Sequence, residues 1–503
     1  MLRPYLFIGT VALIGSALAL SGNNLLVAGL LFLSAAVVFV LTLKRQGKLF
    51  SATVLAVVCL LFALRLCSLN MFIENKTQNT NGRTAQVTGR VVRVLSSNND
   101  YSTFTLKIEE SSLAAAKGLK VSASIPTAPT FKAGDQIKAT LLFSVPEQKF
   151  KASNFAGGDY FSCFVQKYYK TGNNSFTVYS FADTVRNAIK SAISKGGSGE
   201  NSAVLTSLII GDTSALPNSI SDGVKAAGVS HMLVVSGMHV GILCGLSFLL
   251  LQRFANRLLF VFIGSGFLLF IATTCLFHVS ILRASVAYLV MLLSNIALKN
   301  FDSLNSLGIG MLTVLFLFPF SFYNVAFLLS AAATFSVICP ATMLINSVSI
   351  NRKTVPATLF NYVFGVLAVS VSALVCTLPI TIYYFGYTAF IAPITNLAVT
   401  VVVTAALVLG VLGVLLSFIP FVGSFLCLPV FFFAKGAASV FVFAVEQIGG
   451  TKFGVVNINP NENIYCFFIT LLFILLVKVF SNHITNRKER AENANRKNLK
   501  NCA

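Results

Sequence analysis

Charge is what this 503-residue sequence has least of. Asp, Glu, Lys and Arg together make up 11% of it, against about a quarter in soluble domains. Acids are scarcest: 16 Asp and Glu stand against 37 Lys and Arg, a formal net charge of +21. A water-soluble chain of this length would divide into roughly two to four polar-surfaced domains, and there are too few charged side chains to cover them. Soluble, disordered and fibrous classes are excluded. With 56% hydrophobic residues and a mean hydropathy of +0.81, an integral membrane protein is expected.

Other absences narrow the chemistry. The cysteines form no framework: Cys59, Cys67, Cys244, Cys275, Cys339, Cys376, Cys427 and Cys466 lie in apolar stretches, where Cys behaves as a small hydrophobe. Cys163 stands alone in a polar region, so no disulfide forms inside that region. No CxxC or Cys/His cluster suggests zinc, and neither a metal nor another cofactor is expected. No GxxxxGK[ST] loop is present, so the chain carries no nucleotide-driven motor of that kind. Carboxylates are nearly missing from the apolar segments, with Glu446 near an end, and no inverted repeat is evident. Both disfavour proton-coupled transport of a small molecule, which stays as an alternative function.

What is present is a series of apolar runs near the roughly 20 residues that cross a bilayer as helix. They are Tyr5–Leu20, Leu25–Leu43, Ser51–Met71, Val229–Leu251, Leu258–Leu276, Val279–Leu298, Ser303–Phe318, Asn324–Ile345, Val355–Ile382, Ala389–Phe418, Phe425–Ile448 and Ile464–Phe480. The expected fold class is a polytopic α-helical membrane protein of about twelve spans with one inserted small β-barrel. Lys44, Arg45 and Lys48 follow the second span, Arg253 and Arg257 the fourth, Lys299 the sixth, and Arg352 and Lys353 the eighth. The alternate connections, such as Ser21–Asn24 and Pro319–Tyr323, carry no base. The positive-inside rule then places both termini in the cytoplasm. A basic tail, residues 481–503, suits anionic lipid. A competing reading takes Arg3, the first apolar run and Ala17-Leu18-Ala19 as a cleaved signal peptide.

One region departs from the membrane pattern. Residues 72–182 follow the outward third span and are expected to be extracytoplasmic. Ala85–Leu95, Thr103–Ile108, Leu119–Ile125, Gln136–Phe143 and Ser175–Phe181 read as strands between Asn, Gly, Ser and Pro turn signals, and five short strands suit an OB-like barrel. Thirteen Lys and Arg against seven acids give the region a net +6. Arg90, Arg93 and Lys138 as a basic groove, with Tyr101 and Phe104 as stacking surfaces, suit single-stranded nucleic acid. A solvated basic surface that merely spaces or gates a channel is the alternative. Residues 183–228 follow as a linker in which Val185, Ile189 and Ile193 oppose Arg186, Lys190 and Lys195, the spacing of a helix lying on a membrane surface. Residues 229–480 then form the main polytopic domain, after three N-terminal helices in 1–71.

The most distinctive string is SHMLVVSGMHVGIL, Ser230–Leu243. Read as one helix, it brings His231, Ser236 and His239 onto a broad face, and Gly237 and Gly241 have the spacing of close helix approach. Histidines inside a bilayer face a bundle interior or a water-filled cavity; packing residues are the alternative. The string resembles the signature of the ComEC family of competence proteins. Asn154–Tyr160 (NFAGGDY), Leu208–Pro217 (LIIGDTSALP), Ser280–Val286 (SILRASV), Leu328–Phe335 (LLSAAATF), Leu378–Gly386 (LPITIYYFG) and Ala392–Asn396 (APITN) resemble further family segments in the same order. The resemblance implies a channel for single-stranded transforming DNA in the bacterial cytoplasmic membrane. It implies as partners a separate DNA receptor, a nuclease and a cytoplasmic motor, with a homo-oligomer open. Family members often end in a metallo-β-lactamase-like domain; the four histidines include no HxH pair, so the form without that domain, and not an enzyme, is expected.

Five more polar or helix-breaking residues fall in the apolar segments. Arg283 sits near the outer end of the sixth span, suited either to phosphate contact or to snorkelling. Lys435, mid-way along the eleventh, is expected to face a cavity or a partner helix. Pro379 and Asn396, with Pro393, are expected to interrupt their helices beside a pore. A membrane hydrolase using His231, Ser236 and His239 is a third reading. It needs an orienting acid, for which Asp212 and Asp222 are nearest in sequence.

Overall fold

The computed structural model describes residues 65, 68, 69, 71–97, 102–126, 131–144, 155, 158–172, 176–251, 257–296, 301–350, 354–421, 423–449, 454–459 and 462–501. The first two expected spans, most of the third and Tyr101 lie outside them. The chain forms two compact units, Met1–Ala188 with Cys244–Phe327, and Ile189–Leu243 with Leu328–Ala503.

The first unit contains a closed five-stranded barrel. Residues 71–80 are still helical, so the helix expected to stop at Met71 continues to the barrel's threshold. Strands β1 (Thr84–Ser97), β2 (Ser102–Ser111), β3 (Lys120–Ile125), β4 (Gln136–Ser144) and β5 (Phe161–Gly172) follow. Their order around the barrel is β1-β2-β3-β5-β4; β1 pairs with both β2 and β4, and β3 runs parallel to β5. Alternation dictates the interior: Val87, Val91, Leu106, Val121, Ile137 and Leu141 all point inward and are buried. Phe131 packs edge-on against Phe104 at 4.7 Å and against Tyr168 at 5.3 Å between ring centroids. At Gly89 the strands approach so closely that a Cβ would lie 2.7 Å from the Lys107 carbonyl oxygen.

The fifth strand is not where the sequence pattern put it. Ser175–Phe181 leads into helix α1 (Val178–Lys195). Thr177 and Ser180 exchange side-chain to backbone hydrogen bonds at 2.8 and 3.0 Å, a reciprocal cap that starts a helix. The same unit holds α6 (Arg257–Thr274), α7 (Val279–Ile296) and α8 (Ser303–Leu317), numbered after α2 (Glu200–Ile210), α3 (Asn218–Ala226), α4 (Ser230–Leu233) and α5 (Gly237–Leu251).

The second unit is helical. α9 (Val325–Ser336) passes through a π-turn at Val337–Ala341, around Pro340, into α10 (Thr342–Val348). Then come α11 (Val355–Phe385), α12 (Ala392–Ser417), α13 (Gly423–Gly449) and α14 (Asn463–Asn501), with a two-residue pairing between Tyr387–Thr388 and Val456–Asn457. Among the described residues, five helices are long and apolar enough to cross a membrane: Val325–Val348, Val355–Phe385, Ala392–Ser417, Phe425–Gly449 and Asn463–Asn486. These are the last five of the twelve expected spans. Gly237–Leu246, Val261–Thr274, Val279–Ser294 and Ser303–Leu317 are apolar but shorter, so among the described residues five of the expected spans have that length, consistent with a helical membrane protein. The 183–228 segment also differs from a surface linker. α2 buries Leu205 and Leu208 and packs Ile209 on Gly410 of α12, while Gly223 of α3 meets Val445 of α13.

Candidate functional site

The basic residues singled out on the barrel have different fates. Lys138 is exposed on β4. Arg90 is half-exposed and pairs with Glu109 at 3.2 Å. Arg93 is committed inward: its guanidinium lies 3.1 Å from Asp159 and 3.3 Å from the Thr105 hydroxyl. Thr105 donates to the same carboxylate at 3.0 Å, and Lys120 approaches its other oxygen at 3.3 Å. Phe104 is not a stacking surface; it is fully buried in the barrel core, because β2 turns even-numbered side chains inward there.

Sequence reasoning missed Asp159 as the organising residue of this wall. It is the last residue but one of the NFAGGDY segment, and the same segment forms a joint with the helices. Phe155, Tyr160 and Phe320 pack as three edge-on rings with centroids 5.2–5.5 Å apart. Phe320 belongs to the turn after α8. Close by, Tyr179 of α1 packs against Phe277, and Arg186 donates to the Thr274 carbonyl at 3.0 Å. Leu276 and Phe277 both take left-handed backbone angles, φ 55° and 53°, a costly conformation for non-glycine residues. His278 closes that turn, and its basicity is lowered by desolvation and by the charges of Arg93 and Arg186.

The histidine string does not form one helix. α4 ends at Leu233, Val234–Ser236 are non-helical, and α5 begins at Gly237. His231 therefore does not share a helix face with His239, and its side chain is exposed. Ser236 and His239 do meet. The Ser236 backbone N–H donates to His239 Nδ1 at 3.2 Å, and the Ser236 hydroxyl lies 3.1 Å from the same nitrogen. Ser236 is the residue before the helix and His239 its third, the positions of a capping box, with imidazole in place of the usual Glu or Gln. An Nδ1 that accepts leaves the ring proton on Nε2; Nε2 is buried, and the ring is also hydrogen-bonded to the backbone of Met232. Among the described residues a Cβ built on Gly241 meets nothing within 4 Å, so no described helix approaches closely there. Close approach falls instead at Gly413 against Phe431, and at Gly449 against the backbone of Gly223.

The acids available to a Ser–His hydrolase are engaged elsewhere. Asp212 pairs with Lys190 and accepts from Ser214, and Asp222 pairs with Lys225 at 3.0 Å. The Ser236–His239 pair thus has the geometry of a helix start rather than of a triad.

Arg283 is buried on α7, at odds with snorkelling. Gly310 of α8 gives it room, with its missing Cβ 3.2 Å from both Arg283 Cγ and the Arg283 carbonyl oxygen. Lys435 of α13 donates its Nζ to the Gly197 carbonyl in the turn between α1 and α2. Asn396 of α12 donates to the Ser370 hydroxyl of α11 at 3.2 Å, and its own carbonyl oxygen is buried without a partner among the described residues. Pro379 does not break its helix. α11 runs through it, and the Val375 carbonyl, which loses its helical donor to the proline, accepts from the Thr470 hydroxyl of α14 at 2.7 Å. Pro393 sits in the first turn of α12, where no N–H is needed. The interruption lies between the two, at Gly386–Ile391.

Comparison with known proteins bears on this arrangement. The family model described as Competence protein matches residues 208–481, the stretch holding the helix start at His239, the buried Arg283, and Asn396 and Lys435. ComE operon protein 3 of Bacillus subtilis (strain 168) is 25% identical over 225 residues, which cover 43% of this chain and 27% of that protein. The match thus spans about a quarter of the length of that relative. No solved structure matches. The family model covers more than half of the sequence, across the helices and in register with the histidine string: this chain belongs to the competence protein family, that of ComEC.

Proposed function

We propose that this protein conducts single-stranded DNA across the bacterial cytoplasmic membrane during DNA uptake. The observation that carries the reading is the family match over residues 208–481. There, two of the helices long and apolar enough to span a bilayer hold buried polar atoms, Ser372 Oγ on α11 and Asn396 Oδ1 on α12, as conducting helices do. The Asn396 carbonyl, without a partner among the described residues, forgoes about 1–3 kcal/mol unless something else bonds to it. A hydrated path or a passing polar chain supplies such a partner. Arg283 and Lys435 add positive charge, which suits a polyanion.

The first unit supports an outward-facing barrel. The turns at 275–278 and 318–323 meet the barrel and α1, whereas Arg253, Arg257 and Lys299 flank the opposite ends of α6 and α7. The positive-inside rule assigns the basic end to the cytoplasm, which puts the OB-like barrel outside and both termini inside. A receptor that delivers DNA, a nuclease for the second strand and a motor are separate proteins in this scheme.

Deleting the gene from its transformable host and restoring it on a plasmid tests the reading. Loss of labelled-DNA uptake on deletion, and its return with the wild-type copy, are expected. Arg283→Ala should insert normally yet fail to restore uptake. His239→Ala should fail likewise, and recovery in His239→Gln, which keeps a capping acceptor at that helix position, would assign His239 to the helix start alone. Undiminished uptake in the deletion strain would overturn the reading.

A further inference from the structure

The β4–β5 side of the barrel carries an outward face that the misplaced fifth strand concealed. The antiparallel register pairs Lys138 with Tyr169, Thr140 with Lys167, and Leu142 with Phe164. Tyr169 is 68% and Phe164 42% exposed. A register shift between Thr140 and Leu141 inserts an extra residue into β5 at Gln166. That bulge turns Lys167 outward with Tyr169, while Tyr168 packs into the core. From the rise of about 3.3 Å per residue, the two exposed rings stand roughly 13 Å apart along the strands, with Lys167 between them.

Charge on this face is of one sign. β1 extends it with Thr84, Gln86 and Thr88, which face the same β4 residues. Among the described residues no carboxylate lies on its β1, β4 and β5 strands; at its border Asp135 is used by Lys170 at 2.8 Å and Glu109 by Arg90, and Glu110 of β2 stands across from Thr88. Neither Lys138 nor Lys167 has a carboxylate partner among the described residues.

We propose that this face is a binding platform for a single strand of DNA, with Tyr169 and Phe164 stacking on bases and Lys138 and Lys167 holding phosphates. Exposed aromatic rings alternating with unpaired lysines on a barrel wall are the chemistry of sequence-tolerant single-strand binding. Apart from Leu142, which lies beside Phe164, the outward residues facing them across β1 and β4 are Thr84, Gln86, Thr88 and Thr140, whose side chains can hydrogen-bond to sugar and phosphate. A lipid-seated face would instead present a contiguous apolar patch. The proposal rests on the DNA-conducting reading above and names where the strand is first held.

The test uses the full-length protein in detergent micelles, a fluorescent oligo-dT strand and anisotropy across a salt series. Wild type should bind at low salt and lose affinity as salt rises. Lys138→Glu with Lys167→Glu should weaken binding at least tenfold and flatten the salt slope by about 1.4, near 0.7 for each phosphate no longer neutralised. Tyr169→Ala should weaken it about tenfold at every salt concentration. Folding of each variant is checked at Cys163, whose thiol is buried in the barrel and shifted up by desolvation; its peptide should stay unlabelled by a thiol reagent. Variants that bind like wild type, or a wild type that does not bind the strand, overturn the platform. Variants that keep strand affinity but lose binding to vesicles of anionic lipid also overturn it and assign the face to the membrane. The cellular uptake assay reads the conducting role separately, so a failed platform and a failed channel give different results.

Discussion

At the scale of the residue, Asp159 shows why a site can be hidden in plain sequence. Its side chain is 3% exposed and joins Arg93, Lys120 and Thr105, so four chain segments depend on one carboxylate. Removing it leaves Arg93, itself 18% exposed, half-buried without its counter-charge. Asp159→Ala should therefore cost the barrel about 2 kcal/mol, read as faster proteolysis between residues 84 and 172. A single acid in a basic region reads from sequence as one term in a net charge, because nothing in its neighbours Gly158 and Tyr160 records what folds against it. Asp212 offers a second residue-scale measurement. Burial works to raise its pKa, but hydrogen bonds from Lys190 and Ser214 and the charge of Lys190 outweigh it, holding the carboxyl below its ordinary 3.8. A folded value below the unfolded one means the stabilisation is complete above about pH 4 and fades as pH falls towards the folded value. Asp212→Asn should lower the melting temperature at pH 7, by about 1 kcal/mol in stability for this part-exposed pair. The gap from wild type should narrow steadily below pH 4.

At the scale of the element, periodicity located most of what it addressed. Four of the five strands stand where alternation put them, since Val87, Val91, Val121, Ile137 and Leu141 keep a strict period of two. The fifth escaped because the bulge at Gln166 breaks that period, while Thr177 and Ser180 convert an alternating-looking stretch into a helix start. The break after Leu233 was illegible for a related reason: an apolar run carries no mark of where a short helix stops. Pro379 misled in the opposite direction. Proline forbids a hydrogen bond, and sequence cannot show that Thr470, 91 positions later, supplies the missing donor. Thr470→Val should orphan the Val375 carbonyl and weaken the α11–α14 contact by about 1 kcal/mol, the range of hydrogen bonds between helices in bilayers. Thr470→Ser should be nearly silent. Thermal unfolding in micelles distinguishes the two.

At the scale of the whole molecule, composition announced a membrane protein, and the ordered string of family segments indicated which kind. The joint between barrel and helices was not announced, because its rings come from positions 155, 160 and 320. Phe320→Ala should remove about 3 kcal/mol of packing at that joint while leaving the barrel core intact. Limited proteolysis should then cut the NFAGGDY segment sooner, with Cys163 still protected from thiol reagents. Loss of Cys163 protection would mean that the joint and the barrel core unfold together.

The barrel's filled interior decides how anything long can pass it. Phe104, Phe143, Ile137 and Leu141 occupy the space within the strands, and β1 closes the circle by pairing on both sides. Such a body is a post, not an eyelet: a polymer drawn past it must run around the outside, and tension bears on the wall as friction. Because the circle has no free edge, that load is shared among all five strands instead of peeling one away.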